Sequence, residues 1–357
     1  MMPIIRFFKI LIPVLVLSSP TIILAQSRDK AEELVEKGIE LYDKGDYKGS
    51  LELYKQALKA DKDNLFALAE ISMSYIQLGQ YDEVVSIGKK AIEVHPGQKT
   101  LQNIYVSMGN AYDALKKPKK SLEIYKKGLK EFPNSNQLYY NMGVTFAGLL
   151  QFDEATESFQ NAVQCNPKHA SSHNALGRML KGRRKNIPSL MAFSRFLVLE
   201  QNTKRALENL DFFNGILKGS ATMTGDKQVT IEISPNLLSS GKNEPNDFSS
   251  VDLMLTMVSG LDFDDSIKNE ILPVRSIRKF TMVCSSLAES KEKNKGFYWN
   301  YYAPYFIEMK EKKKIEPFVY VAMSGSGDAA VQAWLTEHKF EVESFYEWTK
   351  NFEWLPR

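Results

Sequence analysis

The chain has 357 residues, enough at about 100–200 residues per domain for two or three folded units, and its 43 % hydrophobic and 25 % charged residues fit a globular chain. Forty-six basic against 43 acidic side chains give +3, and only +1 without Arg6 and Lys9 of the first segment, which disfavours a basic nucleic-acid binder. Two cysteines exclude a disulfide scaffold and a multi-cysteine zinc module, and with four histidines no metal or other cofactor is implied.

Residues 1–25 have the order of a secretory signal. Arg6 and Lys9 come without an acid, Ile10 to Leu24 is almost wholly apolar, and Ala25 is the small residue that a signal peptidase needs. The apolar run of about 15 residues is interrupted by Pro13 and Pro20, and a bilayer span needs about 20. Cleavage after Ala25 is therefore expected, with a periplasmic or secreted mature chain. The first cysteine is Cys165, so no cysteine is placed for an N-terminal lipid anchor, and no later apolar stretch is long enough for an integral span.

From Ala31 a unit of about 34 residues recurs. A small residue in the first helix of each unit falls at Gly38, Ser72, Gly109, Gly143 and Gly177, with spacings of 34, 37, 34 and 34. Twelve residues after each come Ser50, Val84, Ser121, Ala155 and Ser189; four further on come Tyr54, Gly88, Tyr125, Phe159 and Phe193. Pro96, Pro133 and Pro167 close three units, and Lys44-Gly45-Asp46 and Leu78-Gly79-Gln80 mark turns inside the first two. Each unit reads as two amphipathic helices, small residues allowing close approach and aromatics filling the space against the neighbour. Over residues 31 to about 202 this resembles the tetratricopeptide repeat (TPR). The fifth unit departs from the pattern: Gly182 to Pro188 replaces the usual turn and Phe196 stands where a small residue belongs. Thr203 to Leu217 reads as one more amphipathic helix that caps the array at residues 31–217.

The resemblance implies a concave surface lined by the first helix of each unit. By it the early surface presents Val35, Ile39, Phe66, Ala69, Met73 and Ile76, and the later one Asn103, Asn110, Tyr140, Asn141, Asn174, Arg178 and Lys181. The apolar end suits an amphipathic helix or part of the chain's own second domain, and the Asn-rich, basic end suits peptide backbone or a carboxylate. The basic clamp of chaperone-binding TPRs is not reproduced, since its positions hold Val35, Ile39, Glu70, Asn103 and Ser107.

Residues 219–357 read as a second, small α+β domain of unrecognised type, after a polar boundary at Lys218 to Gly225. Strands are expected at Gln228–Ile233 and Glu316–Met323, helices at about 249–261, 274–290 and 296–312, and mostly helix over Asp328–Trp354. A turn-rich stretch covers 234–247.

Several chemical constellations have ordinary readings. His169 and His173 are one helical turn apart but lack the glutamate of a metalloprotease motif, which leaves a surface or groove role. Gly325 to Ala330 matches a dinucleotide loop in letters only and reads as a tight turn with Ser326 or Asp328 capping a helix. Asp262, Asp264 and Asp265 read as a helix start or solvated turn. Cys165 and Cys284 either pair or remain small buried hydrophobes. The crowded aromatics Phe297 to Phe306 are either core or an exposed platform. Lys116 to Lys120 and Arg183 to Lys185 are solvated turns or a contact for an acidic partner or anionic lipid head groups. Taken together, the sequence reads as a mainly α TPR solenoid of about five hairpins followed by the small domain. The function expected is an exported scaffold that binds protein or peptide partners, in an envelope-associated complex. The alternatives are an enzyme with its site in 219–357 and a glycan-binding envelope protein.

Overall fold

The computed structural model describes residues 20–225, 228–232 and 244–357. The leader as far as residue 19, the end of the strand expected at Gln228–Ile233 and most of the turn-rich stretch lie outside the described residues. The fold is mostly helical. Five helical hairpins come first: α1 (Pro20–Asp43) with α2 (Tyr47–Ala60), α3 (Leu65–Gln77) with α4 (Tyr81–Val94), α5 (Leu101–Ala114) with α6 (Pro118–Glu131), α7 (Asn136–Gly148) with α8 (Phe152–Cys165), and α9 (Ala170–Gly182) with α10 (Asn186–Leu199). The cap expected after them is α11 (Lys204–Lys218). The expected cleavage point after Ala25 falls inside α1.

Helix starts follow local chemistry. The Asp46 carboxylate accepts from the Gly49 amide at 2.9 Å, Asn64 Oδ1 from the Ala67 amide at 2.9 Å and Thr203 Oγ1 from the Ala206 amide at 3.1 Å. Each such cap is worth about 1 kcal/mol. The turn inside every hairpin needs one residue with positive φ. Gly45 (φ 81°) and Gly79 (φ 72°) supply it in the first two units, and Lys116 (60°), Leu150 (61°) and Arg184 (56°) at the equivalent positions of the next three.

The chain divides into two compact units, one ending at Ile124 and the other beginning at Tyr125, inside α6. In the first, Ala31, Val35, Leu51, Tyr54, Ala57, Ala67 and Ile71 form a core. The Gly38 marker is a close approach: a Cβ there would overlap the edge of the Tyr54 ring. Ser50 and Ser74 share a buried hydroxyl contact of 2.8 Å between α2 and α3.

In the second unit the same contact recurs, with a Cβ at Gly143 falling 2.7 Å from Phe159. Here α10 is buried without a break from Ile187 to Val198, apolar over most of its circumference, with Ser189 and Arg195 hydrogen-bonded. Beyond α11 come the antiparallel hairpin β1 (Ala221–Gly225) and β2 (Gln228–Ile231), α12 (Ser249–Ser259), a 3-10 turn at Gly260–Phe263, α13 (Leu272–Ser290), α14 (Phe297–Tyr301), α15 (Ala303–Glu311), α16 (Ile315–Ala322), α17 (Ala329–Glu337) and α18 (Lys339–Asn351). Of these, α12 and α16 pack on α10, together with α9 and α11. One hydrophobic core runs from Ala155 to Phe345, across the polar stretch expected as a boundary. Part of that stretch is β1 itself.

Two expected elements differ. Glu316–Met323 is the helix α16 rather than a strand: it packs on α10, α13 and α18, so its apolar run is that of an element buried all round. Pro317 in its first turn removes no intrahelical hydrogen bond. The helix expected over 296–312 is two, α15 starting at Ala303 with Pro304 in its first turn. The β content of this region, among the described residues, is the β1–β2 hairpin.

Candidate functional site

The first helices of the hairpins carry the expected binding residues, and each unit presents its own set. In the unit ending at Ile124, Phe66 on α3 is 63 % exposed, with Met73 and Ile39 partly so and Ile76 half-buried. Val35 and Ala69 are not available to a ligand: Val35 belongs to the core around Tyr54 and Ala69 is buried. Asn103 is exposed and Asn110 half-buried on α5. Between the apolar positions of α3 lies Glu70, half-buried, its carboxyl pushed above the usual range by desolvation and by Asp43. This acid occupies one of the clamp positions, which disfavours an acidic tail there.

In the unit beginning at Tyr125, Tyr140 is half-buried, edge-on to His169 at 5.3 Å and tilted against Phe159 at 5.8 Å. The Asn141 side-chain amide donates to the Gln137 carbonyl at 2.8 Å, while the buried Oδ1 of Asn174 accepts no hydrogen bond. Arg178 and Lys181 are exposed but not idle. The Arg178 guanidinium reaches Glu208 at 3.5 Å, and both cations lie over the Phe212 ring of α11, at 5.2 and 4.6 Å from its centre. The Arg178–Glu208 pair is solvated on both sides and weak, so a ligand carboxylate can compete for it.

Within this unit the helices beyond α11 bind the second helices α8 and α10, and also reach His173 of α9. Tyr298 OH accepts from the Gln160 amide of α8 at 2.9 Å, and Tyr301 OH donates to the Val163 carbonyl at 2.7 Å. Tyr298, Trp299, Tyr301, Tyr302, Tyr305 and Phe306 are all buried, so the exposed sugar-stacking platform is not present and the aromatics are core. After α18 the chain returns over the same surface. Trp354 stacks on Tyr305 at 4.9 Å with the buried Arg195 guanidinium 5.1 Å from its ring centre, and Arg357 lies over Tyr139 at 4.4 Å.

His173 has no groove role. It is fully buried, 2.6 Å from Tyr302 OH through Nδ1 and 3.0 Å from the Pro167 carbonyl through Nε2. That pairing makes Nε2 the protonated nitrogen and Tyr302 the donor to Nδ1. Burial, with Arg195 nearby, lowers its pKa to about 3 and keeps it neutral. His169 is half-buried beside Ser172 at 2.7 Å. No group of three or more metal-ligating side chains occurs among the described residues. Cys165 and Cys284 are free, and burial pushes the Cys284 thiol up.

Gly327 (φ 75°) and Asp328 make the tight turn and cap expected, the Asp328 carboxylate accepting from the Ala330 amide at 2.8 Å. Ser326 lines a cavity of about 250 Å³ with Asp328. His338 is not among that cavity's lining residues; it stacks flat on Trp334 at 4.3 Å. Asp262 is no solvated turn: it is largely buried and pairs with Arg278 at 2.9 Å and with Lys279. No local pattern signals that cluster, because its partners lie 16 and 17 residues away on α13.

Residues 102–135 match the family described as tetratricopeptide repeat. The chain is 27 % identical over 169 residues to a TPR repeat-containing protein of Methanocaldococcus jannaschii, a match covering 45 % of this chain and 30 % of that one. It is 32 % identical over 108 residues to Hsp70-Hsp90 organizing protein 1 of Glycine max, covering 30 % and 18 %. The chain thus spans less than a third of the length of these relatives. Among solved structures, a thermophilic TPR protein of Thermus thermophilus is similar at 20 % identity over 52 % of this chain and 98 % of that one, with a TM-score of 0.43.

Proposed function

We propose that this TPR repeat protein is an exported scaffold that holds protein or peptide partners against the first helices of its hairpins. The observation that carries the reading is the exposure of Phe66, Met73 and Ile39 on helices whose other faces are buried in the core. Large apolar side chains left in water on these helices suit the apolar face of an amphipathic helix. On the other unit, Asn141, Asn174, Arg178 and Lys181 suit a peptide backbone and a carboxylate. The relatives matched include a protein named for organising two chaperones, which supports an adaptor role. Export rests on the signal-like residues 1–25 and sets the partner in the periplasm, the envelope or outside the cell.

A photo-crosslinking amino acid at Met73, and separately at Arg178, tests both parts in cells producing the chain. The expected result is a discrete adduct from each position, absent from a control at Lys127 on α6, on a chain whose mature N-terminus is Gln26. Adducts equal to the control refute the binding faces, and an uncleaved Met1 refutes export.

A further inference from the structure

The unit beginning at Tyr125 contains a cavity of about 580 Å³ that the scaffold role does not use. It lies between the end of α11, the β1–β2 hairpin, the 3-10 turn and the first turns of α13. Leu217, Ala221, Met223, Phe263 and Leu272 make its walls mostly apolar. Its charged lining is one-sided, Lys218, Lys268, Arg275 and Lys279 against Asp262 alone.

The acids at hand are already committed. Asp262 holds Lys279 and Arg278, and Glu270 holds Arg278 at 2.9 Å. The buried Lys279 ammonium also donates to the Leu217 carbonyl at 3.0 Å, so its protons are taken. Arg275 is different. Its Nη2 donates to the Lys268 and Glu270 carbonyls at 3.1 and 3.2 Å, but its Nε is buried with no acceptor, 3.9 Å from Asp262. That Nε is out of a ligand's reach, but the Arg275 side chain is 31 % exposed and lines the cavity, where its guanidinium favours an oxygen anion. Beside it, the first turn of α13 begins at Leu272 with no side chain capping its amides, which adds positive potential at the same end of the cavity.

We propose that this cavity binds one molecule of an amphipathic monoanion, an acyl carboxylate, with its head at Arg275 and its chain along Leu217, Met223, Phe263 and Leu272. The cationic lining around Arg275 matches a carboxylate head, and the apolar walls match an alkyl chain. The volume lies within the range of small-ligand sites.

Calorimetric titration of the full chain with laurate, below its micelle-forming concentration, tests the proposal. Saturable binding at one site is expected, with dodecyltrimethylammonium failing to bind. Arg275→Gln is expected to weaken laurate at least tenfold. Because Arg275 also anchors the loop before α13, Met223→Trp provides a second variant: Met223 is 49 % exposed, so the larger ring fills the cavity mouth without disturbing the core and abolishes binding. The proposal is overturned by no saturable laurate binding, by the cationic surfactant binding equally well, or by both variants binding like the parent. Tighter binding of a short peptide with a free apolar C-terminus would overturn the acyl assignment.

Discussion

Replacing His173 by Gln should change the pH dependence of stability in a direction fixed by its surroundings. The imidazole faces Tyr302, Arg195, His169 and the Pro167 carbonyl, with no acid among these neighbours, and its pKa falls to about 3 from 6.5. Below pH 6.5 the unfolded chain takes up a proton that the folded one refuses. Stability is therefore lost as the pH falls from 6.5 towards 3, at up to about 1.4 kcal/mol per pH unit. Asp252 acts with the opposite sign. Burial raises its carboxyl to about 7 from 3.8, so its contribution is lost as the pH rises through that window. The measurement is cleanest with Asp252→Asn as the parent. In that background His173→Gln should cost most at pH 7.5, and the cost should shrink by about 2–3 kcal/mol at pH 4.5, two units below the unfolded pKa. Urea unfolding followed by tryptophan fluorescence reads the right unit, since Trp299, Trp334, Trp348 and Trp354 all lie beyond Tyr125. An equal cost at both pH values would refute a neutral, desolvated His173.

Leu150→Gly should stabilise by about 0.5–1 kcal/mol in thermal unfolding, because Leu150 is 73 % exposed at φ 61° and glycine relieves the left-handed strain at some cost in unfolded-state entropy. A lower Tm would contradict the turn geometry. Gly143→Ala should destabilise by about 1–2 kcal/mol despite the better helix propensity, since its Cβ would sit 2.7 Å from the buried Phe159 ring. In a double-mutant cycle, Phe159→Leu should make the alanine nearly neutral; additive effects would show that the ring is not what excludes it.

The repeats are legible because one short-range pattern serves each hairpin: the Gly38, Gly143 and Gly177 markers face Tyr54, Phe159 and Phe193 in the structure. Where a residue's role depends on what the chain brings back from far away, the sequence is less informative. Nothing near Glu316 says that α10, α13 and α18 will surround it, so its apolar run reads as a strand. His173 has the pattern of a surface residue, and only Tyr302, 129 positions on, takes it into the core. Among the binding residues, exposure at Phe66 and Met73 follows from helix periodicity. Periodicity alone does not separate them from Val35 and Ala69, which differ in how tightly the adjoining helix packs on them. The ion cluster of Asp262 and the cavity beside it depend on a loop folding back onto α13, and no spacing encodes that.

The aromatic closure made by Trp354 and Arg357 has a consequence for synthesis on the ribosome. Helices α7 to α10 are translated early, yet Tyr139, Arg195 and the rings of α14 and α15 obtain their final neighbours only when Trp354 and Arg357 have left the exit tunnel. The early hairpins can settle while translation continues, but the later unit must wait, partly open, until those two side chains emerge.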